Sequence, residues 1–210
     1  MRVVVISDTH SPRFWKGCPP AVAAQLVGAD LILHAGDVCT VDVLAELEQF
    51  APVRAVLGNN DGSDVAAWGA PVTLELDLAG LPAAMIHDSG PAAGRLARLH
   101  RRFPAAELVI FGHSHIPLDQ RDETLRIFNP GSPTDKRRQP FGTLGVLEIV
   151  DATLISAELV PIPPRATVPP QTAGSADQPT QTAGSADQPT QTAGSADQGK
   201  VIHRSVAPHE

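Results

Sequence analysis

The amino-acid sequence predicts a layered α/β fold, and three observations support this class. Short apolar runs typical of buried strands recur along the chain as far as Val160, beginning with Val3 to Ile6. Segments with the spacing of amphipathic helices lie between several of these runs. Most runs end abruptly at polar residues, which is the pattern expected where strands deliver side chains to the carboxyl edge of a sheet.

The first half of the chain alternates predicted strands with predicted helices. The predicted elements are a strand at 3–6, a helix at 21–26, a strand at 30–35, a helix at 41–50 and a strand at 53–57. Gly28 is predicted to end the first helix and Pro52 the second. Thr40 is predicted to cap the second helix, because its hydroxyl can accept a hydrogen bond from a free amide at the helix N-terminus.

The second half adds a predicted hairpin, a helix and four strands. Residues 72–78 alternate apolar and polar side chains, turn at Ala79-Gly80 and return as 82–86, which is typical of a β-hairpin. The composition of 90–103 predicts a helix, and further strands are predicted at 107–111, 124–128, 143–150 and 153–160. We therefore predict one folded domain over residues 1–162.

A repetitive segment follows this domain. The decapeptide QTAGSADQPT occupies 171–180, recurs at 181–190 and is repeated in part at 191–198. A fixed period could indicate a solenoid, but no copy contains a large apolar residue that could stack into a core. Residues 163–210 are therefore predicted to form a disordered, low-complexity tail.

The composition excludes several classes of protein. A formal net charge of −7 and a pI near 5.5 argue against a protein that coats nucleic acid. No apolar run approaches the roughly 18 residues of a membrane span, and no signal peptide is recognised after Met1. Cys18 and Cys39 are too few for a disulfide framework or a Cys-rich zinc site, so a cytoplasmic location is expected. The oligomeric state stays open, with a homodimer among the alternatives.

Side chains at the predicted strand ends form a candidate metal site. The seven candidates are Asp8, His10, Asp37, Asn59, His87, His113 and His115. If the chain stays extended past Ile6, Asp8 and His10 point the same way, because side chains of a strand alternate with a period of two. Seven ligands are too many for one ion, but they suit two cations about 3.5–4 Å apart that share a carboxylate.

The types of donor restrict which metals are expected to bind and which reaction they are expected to promote. Imidazole, carboxylate and amide donors without thiolate suit Mn2+, Fe2+, Co2+, Ni2+ or Zn2+ better than Ca2+, whereas Mg2+ prefers more oxygen. Two such cations lower the pKa of a bridging water, orient the resulting hydroxide for in-line attack on phosphorus and neutralise phosphoryl charge. The donor set suits two-metal phosphoester hydrolysis but does not decide among these metals; Mn2+ is the metal we expect, with Ni2+, Fe2+, Co2+, Zn2+ or Mg2+ as alternatives.

Five motifs, in this order, closely resemble those of the calcineurin-like metallophosphoesterases. They are Asp8-Thr-His10, Gly36-Asp37, Gly58-Asn59-Asn60-Asp61, His87 and Gly112-His-Ser-His115. The compact size and the Asn129-Pro-Gly-Ser132 segment look like the small bacterial and archaeal phosphodiesterase branch, which includes the retromer subunit vacuolar sorting protein 29. The resemblance covers roughly residues 1–160. It implies a four-layer αββα sandwich of two mixed sheets between helices.

The resemblance also implies a role for each candidate ligand. The first cation would be held by Asp8, His10 and His115. The second would be held by Asn59, His87 and His113. Asp37 would bridge the two, and the implied catalytic residues are Asp37, Asn59 and Asn60.

Residues close to these motifs have other predicted roles. Many relatives carry His where this chain has Asn60, and an amide cannot act as a general acid at neutral pH. Asp61 is predicted to orient the Gly58 to Asn60 turn or a ligand rather than bind metal. His34 is predicted to be a hydrogen-bonded core histidine. The basic segment 136–138 is a solvated loop by default, with phosphate steering as the alternative.

The sequence leaves three functions to compare. A metal-dependent phosphodiesterase acting on a small phosphoester is favoured, with phosphomonoesters as a nearby alternative. A binding scaffold on the same fold is the second, but a scaffold is free to lose ligands and all seven positions here hold competent donors. A nuclease is the third, and the acidic balance of the chain argues against it.

Overall fold

The computed structural model describes residues 1–163, and the strands of this part of the chain form two five-stranded mixed sheets. In chain order the elements are β1 (Arg2–Ile6), α1 (Pro20–Leu26), β2 (Leu31–His34), α2 (Asp42–Glu48), β3 (Val53–Ala55), α3 (Ser63–Trp68), β4 (Thr73–Leu78), β5 (Leu81–Ile86), α4 (Arg95–Arg102), β6 (Leu108–Ile110), β7 (Leu118–Arg121), β8 (Arg126–Asn129), β9 (Gly142–Val150) and β10 (Thr153–Ile162).

Both sheets are mixed, with three parallel strands at one end of the first sheet and three in the centre of the second. The first sheet has the order β10-β9-β1-β2-β3, in which β1, β2 and β3 run parallel because α1 and α2 return the chain between them. The second sheet has the order β4-β5-β6-β8-β7, in which β5, β6 and β8 run parallel. The carboxyl ends of several parallel strands are therefore available to a shared site.

The side chains of β1 show how the layers are stacked. Val4 and Ile6 pack in a cluster with Val22 and Leu26 of α1 and with apolar side chains of α2. Val3 and Val5 point the other way and pack against second-sheet residues such as Met85. The opposite face of the second sheet is covered by Leu99 and Phe103, in and after α4. The order is thus helix, sheet, sheet, helix, and the four-layer prediction is confirmed.

The predicted strands are present, with ends shifted by at most two residues, but two elements were missed and one cap was wrong. The short helix α3 and the polar edge strand β7 were not predicted, because neither has an apolar period long enough to identify it. The helix predicted over 90–103 begins only at Arg95, after Gly94, whose φ is 66°. Thr40 does not cap α2: its hydroxyl donates to Ser11 Oγ at 2.9 Å, and α2 begins at Asp42 without a side-chain cap.

Two predictions concern the ends of the folded part. Within residues 1–163, no helix combines the length and the apolar character that crossing a membrane requires. The repeat tail lies outside the described residues, so its disorder and the domain boundary near 162 stay predictions.

Candidate metal centre

All seven predicted ligands lie just beyond the carboxyl ends of parallel strands from both sheets. Asp8 and His10 follow β1, Asp37 follows β2 and Asn59 follows β3. The other three come from the second sheet, where His87 follows β5 and His113 and His115 follow β6. The structure brings these side chains together in two neighbouring groups, and Asp37 lies close to both.

Left-handed backbone, rather than an extended strand, aims these side chains. Positive φ values occur at five of the ligands: Asp8 (57°), His10 (47°), Asp37 (57°), His113 (66°) and His115 (58°). Residues other than glycine rarely adopt this region, and such strain concentrates at functional sites. The condition for strand alternation is not met, because β1 ends at Ile6; left-handed backbone instead places Asp8 and His10 in one group.

The first group consists of Asp8, His10 and His115, whose ligand atoms lie within 4.8 Å of one another. His10 Nε2 and His115 Nε2 are 3.2 Å apart. Asp8 Oδ1 lies 3.3 Å from His115 Nε2 and has no hydrogen-bond partner within residues 1–163, although it is fully buried. A buried carboxylate oxygen with no donor to satisfy it is costly, so this oxygen is suited to bind a cation.

The second group consists of Asp37, His87 and His113, again with ligand atoms within 4.8 Å of one another. His87 Nε2 lies 3.3 Å from Asp37 Oδ2 and 3.3 Å from His113 Nδ1. The side-chain oxygen of Asn59 is 3.1 Å from the same His87 nitrogen. This group and Asn59 thus offer four side-chain ligand atoms to a single cation.

Asp37 touches both groups. Its Oδ2 lies 3.3 Å from His87 Nε2 in the second group and 3.6 Å from His10 Nε2 in the first. The carboxylate is almost fully buried. Asp37 therefore stands where a ligand shared by two cations would stand.

The tautomers of the buried rings decide what these clusters can bind. His87 Nδ1 donates to the backbone oxygen of Ala35 at 2.8 Å, and His115 Nδ1 donates to that of Asp135 at 2.5 Å. Because a carbonyl only accepts, each Nδ1 carries the proton, and in the neutral ring each Nε2 presents a lone pair. These lone pairs face carboxylate oxygens and other ring nitrogens, so the clusters are short of positive charge. The residues present therefore fit two divalent cations.

The directions of the pKa shifts also indicate that these two groups of side chains favour added positive charge. Burial lowers the pKa of an imidazole, but the carboxylate beside Nε2, Asp37 for His87 and Asp8 for His115, favours the protonated ring, outweighs burial and raises the pKa of both residues. Burial raises the pKa of a carboxyl group, but the neighbouring His87 and the hydrogen bonds from Asn60 hold the pKa of Asp37 below its ordinary value. For His10 burial prevails, and its pKa is lowered. Protons and cations therefore compete for His87 and His115.

Comparison with known proteins assigns the family. A family model described as the calcineurin-like phosphoesterase superfamily domain matches residues 1–152. The chain belongs to this superfamily. A relative from Methanothermobacter thermautotrophicus, named "Probable metallophosphoesterase", is 35% identical over 166 residues, which cover 76% of this chain and 92% of that protein.

Solved structures share the fold of this phosphoesterase. One is wild-type Vps29 from Entamoeba histolytica, complexed with zinc, with a TM-score of 0.61, 22% identity and coverage of 77% of this chain and 99% of that one. Another is described as a novel archaeal phosphodiesterase and has a TM-score of 0.60, 19% identity and coverage of 76% of this chain and 100% of that one. At these identities the likeness concerns the fold alone.

Asp61 and Asn60 hold the loop of the phosphoesterase that carries Asn59. Asp61 accepts hydrogen bonds from the backbone nitrogens of Gly58 (2.7 Å), Asp37 (3.0 Å) and Cys39 (2.6 Å), which supports its predicted orienting role. The backbone and side-chain nitrogens of Asn60 donate to the two carboxylate oxygens of Asp37 at 2.8 and 2.7 Å. Asn60 therefore contacts the shared carboxylate.

The sequence did not identify two residues that support the ligand rings. Asp135 provides the carbonyl that fixes the tautomer of His115, and Cys39 Sγ lies 3.7 Å from His10 Nδ1. Nothing near His115 in the sequence signals the first contact, because 20 residues separate the partners. The side chain of Ser132, in the motif noted above, donates to the backbone oxygen of Asp8 at 2.8 Å.

His34 makes the stability of this phosphoesterase depend on pH. As predicted, it is a buried histidine with a hydrogen-bond partner, since its Nε2 lies 3.1 Å from Thr9 Oγ1. Burial lowers the pKa of His34 to about 4 from an ordinary value of 6.5. As the pH falls below 6.5, the unfolded chain gains a proton that the folded chain excludes, so the free energy of unfolding decreases.

Replacing His34 with Gln is expected to remove this pH dependence. Between pH 7 and pH 5, the free energy of unfolding of the variant should fall by roughly 2 kcal/mol less than that of the parent chain. Urea unfolding at both pH values measures the difference. Equal losses in the two proteins would show that His34 is not the responsible group.

Proposed function

We propose that this chain is a phosphodiesterase that requires two divalent cations. The observation that carries the proposal is the pair of donor groups joined by Asp37, whose Oδ2 approaches one imidazole of each group. Because the chain belongs to the calcineurin-like phosphoesterase superfamily, a phosphoester is the expected substrate. Because of the donor set, metal-dependent hydrolysis is the expected reaction.

Each ligand has a place in this proposal. The first cation would be held by Asp8, His10 and His115. The second would be held by Asn59, His87 and His113, with Asp37 shared between them. When bound, the cations would lower the pKa of a coordinated water and neutralise charge on the phosphoryl oxygens. Mixed nitrogen and oxygen donors, without thiolate in the groups of the described residues, suit Mn2+, Fe2+, Co2+, Ni2+ or Zn2+, and among these we propose Mn2+.

Asn60 limits the substrates that such a site can use well. Its amide donates to Asp37 and cannot deliver a proton to a departing alkoxide at neutral pH. Phosphodiesters whose leaving group is stable without protonation, such as aryl esters, should therefore be cleaved faster than alkyl esters. A small phosphoester is proposed rather than a nucleic acid, because the chain carries a net charge of −7.

A combined metal and activity assay tests the proposal. The full chain is stripped with a chelator, returned to Mn2+, Ni2+, Co2+, Zn2+ or Mg2+, and assayed with bis(p-nitrophenyl) phosphate and p-nitrophenyl phosphate. We expect two metal equivalents, no activity after stripping, recovery with Mn2+ and faster cleavage of the diester. Metal binding without hydrolysis of either ester would favour a scaffold, and faster cleavage of the monoester would identify a phosphomonoesterase.

A further inference from the structure

A cleft of about 330 Å³ lies between two loops that also carry or contact the candidate ligands. We call it the side cleft; its lining includes Phe14, Lys16, Pro19, Pro133, Lys136 and Ile162. Its volume is at the lower end of the range for small-molecule sites, so it suits one ring better than a polymer.

The side cleft adjoins the first ligand group through direct contacts. The ring of Phe14 meets the imidazole of His10 edge-on, with centroids 6.3 Å apart, and the Phe14 backbone nitrogen donates to the His10 oxygen at 3.0 Å. On the opposite wall, Thr134 Oγ1 donates to the backbone oxygen of Thr9 at 3.1 Å. Its neighbour Asp135 accepts from His115. Lining residues of the side cleft therefore contact the segment that carries His10, while none of the seven candidate ligands lines the cleft itself.

The lining combines apolar surface with positive charge. Phe14 leaves 39% of its area exposed, and the Arg13 guanidinium lies over its ring, 5.0 Å from the centroid. The loops at 11–19 and 133–141 carry five exposed cationic side chains and one partly buried acidic side chain, although the whole chain is acidic. The cations are Arg13, Lys16, Lys136, Arg137 and Arg138, and the acid is Asp135. Of these, Lys16 and Lys136 belong to the lining itself.

We infer that the side cleft binds one ester group of the phosphodiester substrate, and that this group is an aromatic ring carrying a negative charge of its own. The inference rests on the proposed function and names its substrate class. Phe14 and the prolines provide an apolar surface for the ring. Lys16 and Lys136 provide the complement to its charge, and one N–H of Lys136 is occupied by the Gln139 carbonyl at 2.8 Å.

Three phosphonates test this inference by binding alone, because their phosphorus–carbon bond resists hydrolysis. Methylphosphonate, phenylphosphonate and 4-carboxyphenylphosphonate are titrated calorimetrically into the full chain with Mn2+ present. We expect affinity to rise in that order, with about tenfold between the first and the last. Similar affinity for all three would overturn the inference.

Variants separate the contributions of the ring contact and of the charge. Phe14→Ala should reduce the preference for phenylphosphonate over methylphosphonate, whereas Lys16→Ala combined with Lys136→Ala should reduce the preference for the carboxylated ring. Both should leave methylphosphonate affinity unchanged. Phe50→Ala is the matched control, since Phe50 is 37% exposed and does not line the side cleft.

The outcomes distinguish this inference from the proposed function. Hydrolysis of bis(p-nitrophenyl) phosphate without discrimination among the phosphonates would overturn the inference and leave the phosphodiesterase proposal standing. Discrimination that Phe14→Ala removes, without hydrolysis of any ester, would support a binding cleft and overturn the catalytic proposal. A loss of methylphosphonate affinity in Phe14→Ala would overturn the inference, because it would show that Phe14 acts on His10 instead.

Discussion

Replacing Asp37 with Ala is expected to abolish hydrolysis and to lower the metal content of the protein. Asp37 Oδ2 is 3.6 Å from His10 Nε2 and 3.3 Å from His87 Nε2, so this carboxylate joins the two donor groups. Without it, two cations would face each other without the anion that offsets their repulsion. We expect kcat/KM to fall on the order of a thousandfold, equivalent to about 4 kcal/mol of transition-state stabilisation. Steady-state kinetics and elemental analysis measure both effects.

Two further variants make this result interpretable. Asp37→Asn keeps the shape of the side chain and one acceptor for Asn60, so it should remain folded even if the alanine variant does not. Asp64→Ala removes an exposed carboxylate in the first turn of α3 and should keep full activity and metal content. Full activity and two bound cations in both Asp37 variants would refute the bridging role.

The candidate site could be anticipated because its ligands are marked locally in the sequence. Each of Asp8, Asp37, Asn59, His87 and His113 comes within four residues of the end of a predicted apolar strand. Parallel strands bring their carboxyl ends to one edge whatever the detailed path of each turn. The chain does not stay extended from Asp8 to His10, but the choice of residues did not depend on that condition.

The remaining features depend on contacts between distant parts of the chain. The tautomer of His115 is set by the carbonyl of Asp135, and Asp61 holds the backbone of Asp37 from 24 residues away. Neither contact leaves a local pattern in the sequence. Threonine is a residue type that favours helix N-caps, but the hydroxyl of Thr40 donates to Ser11, so a tertiary contact overrides the local preference. The four-layer arrangement was likewise expected from the resemblance rather than from periodicity.

Replacing Gly58 with Ala is expected to disrupt the candidate site by steric conflict. A Cβ at this position would lie 2.2 Å from the backbone nitrogen of Asp37 and 2.2 Å from Asp37 Oδ1. Neither atom can move away freely, because Asp61 and Asn60 hold that nitrogen and that oxygen. We expect the free energy of unfolding to fall by about 1–3 kcal/mol and kcat/KM to fall by at least about a hundredfold.

Gly62→Ala provides the matched control for this experiment, since it adds the same methyl group four residues later. There a Cβ would meet only the side-chain oxygen of Asp64 at 2.9 Å, which can rotate into solvent because Asp64 is exposed. The Gly62 variant should therefore keep its metal, its activity and its free energy of unfolding to within about 0.5 kcal/mol. If Gly58→Ala behaves like Gly62→Ala, the close approach of Gly58, in the loop after β3, to Asp37 does not constrain the site. If only Gly58→Ala loses metal, the position of Asp37 depends on that approach.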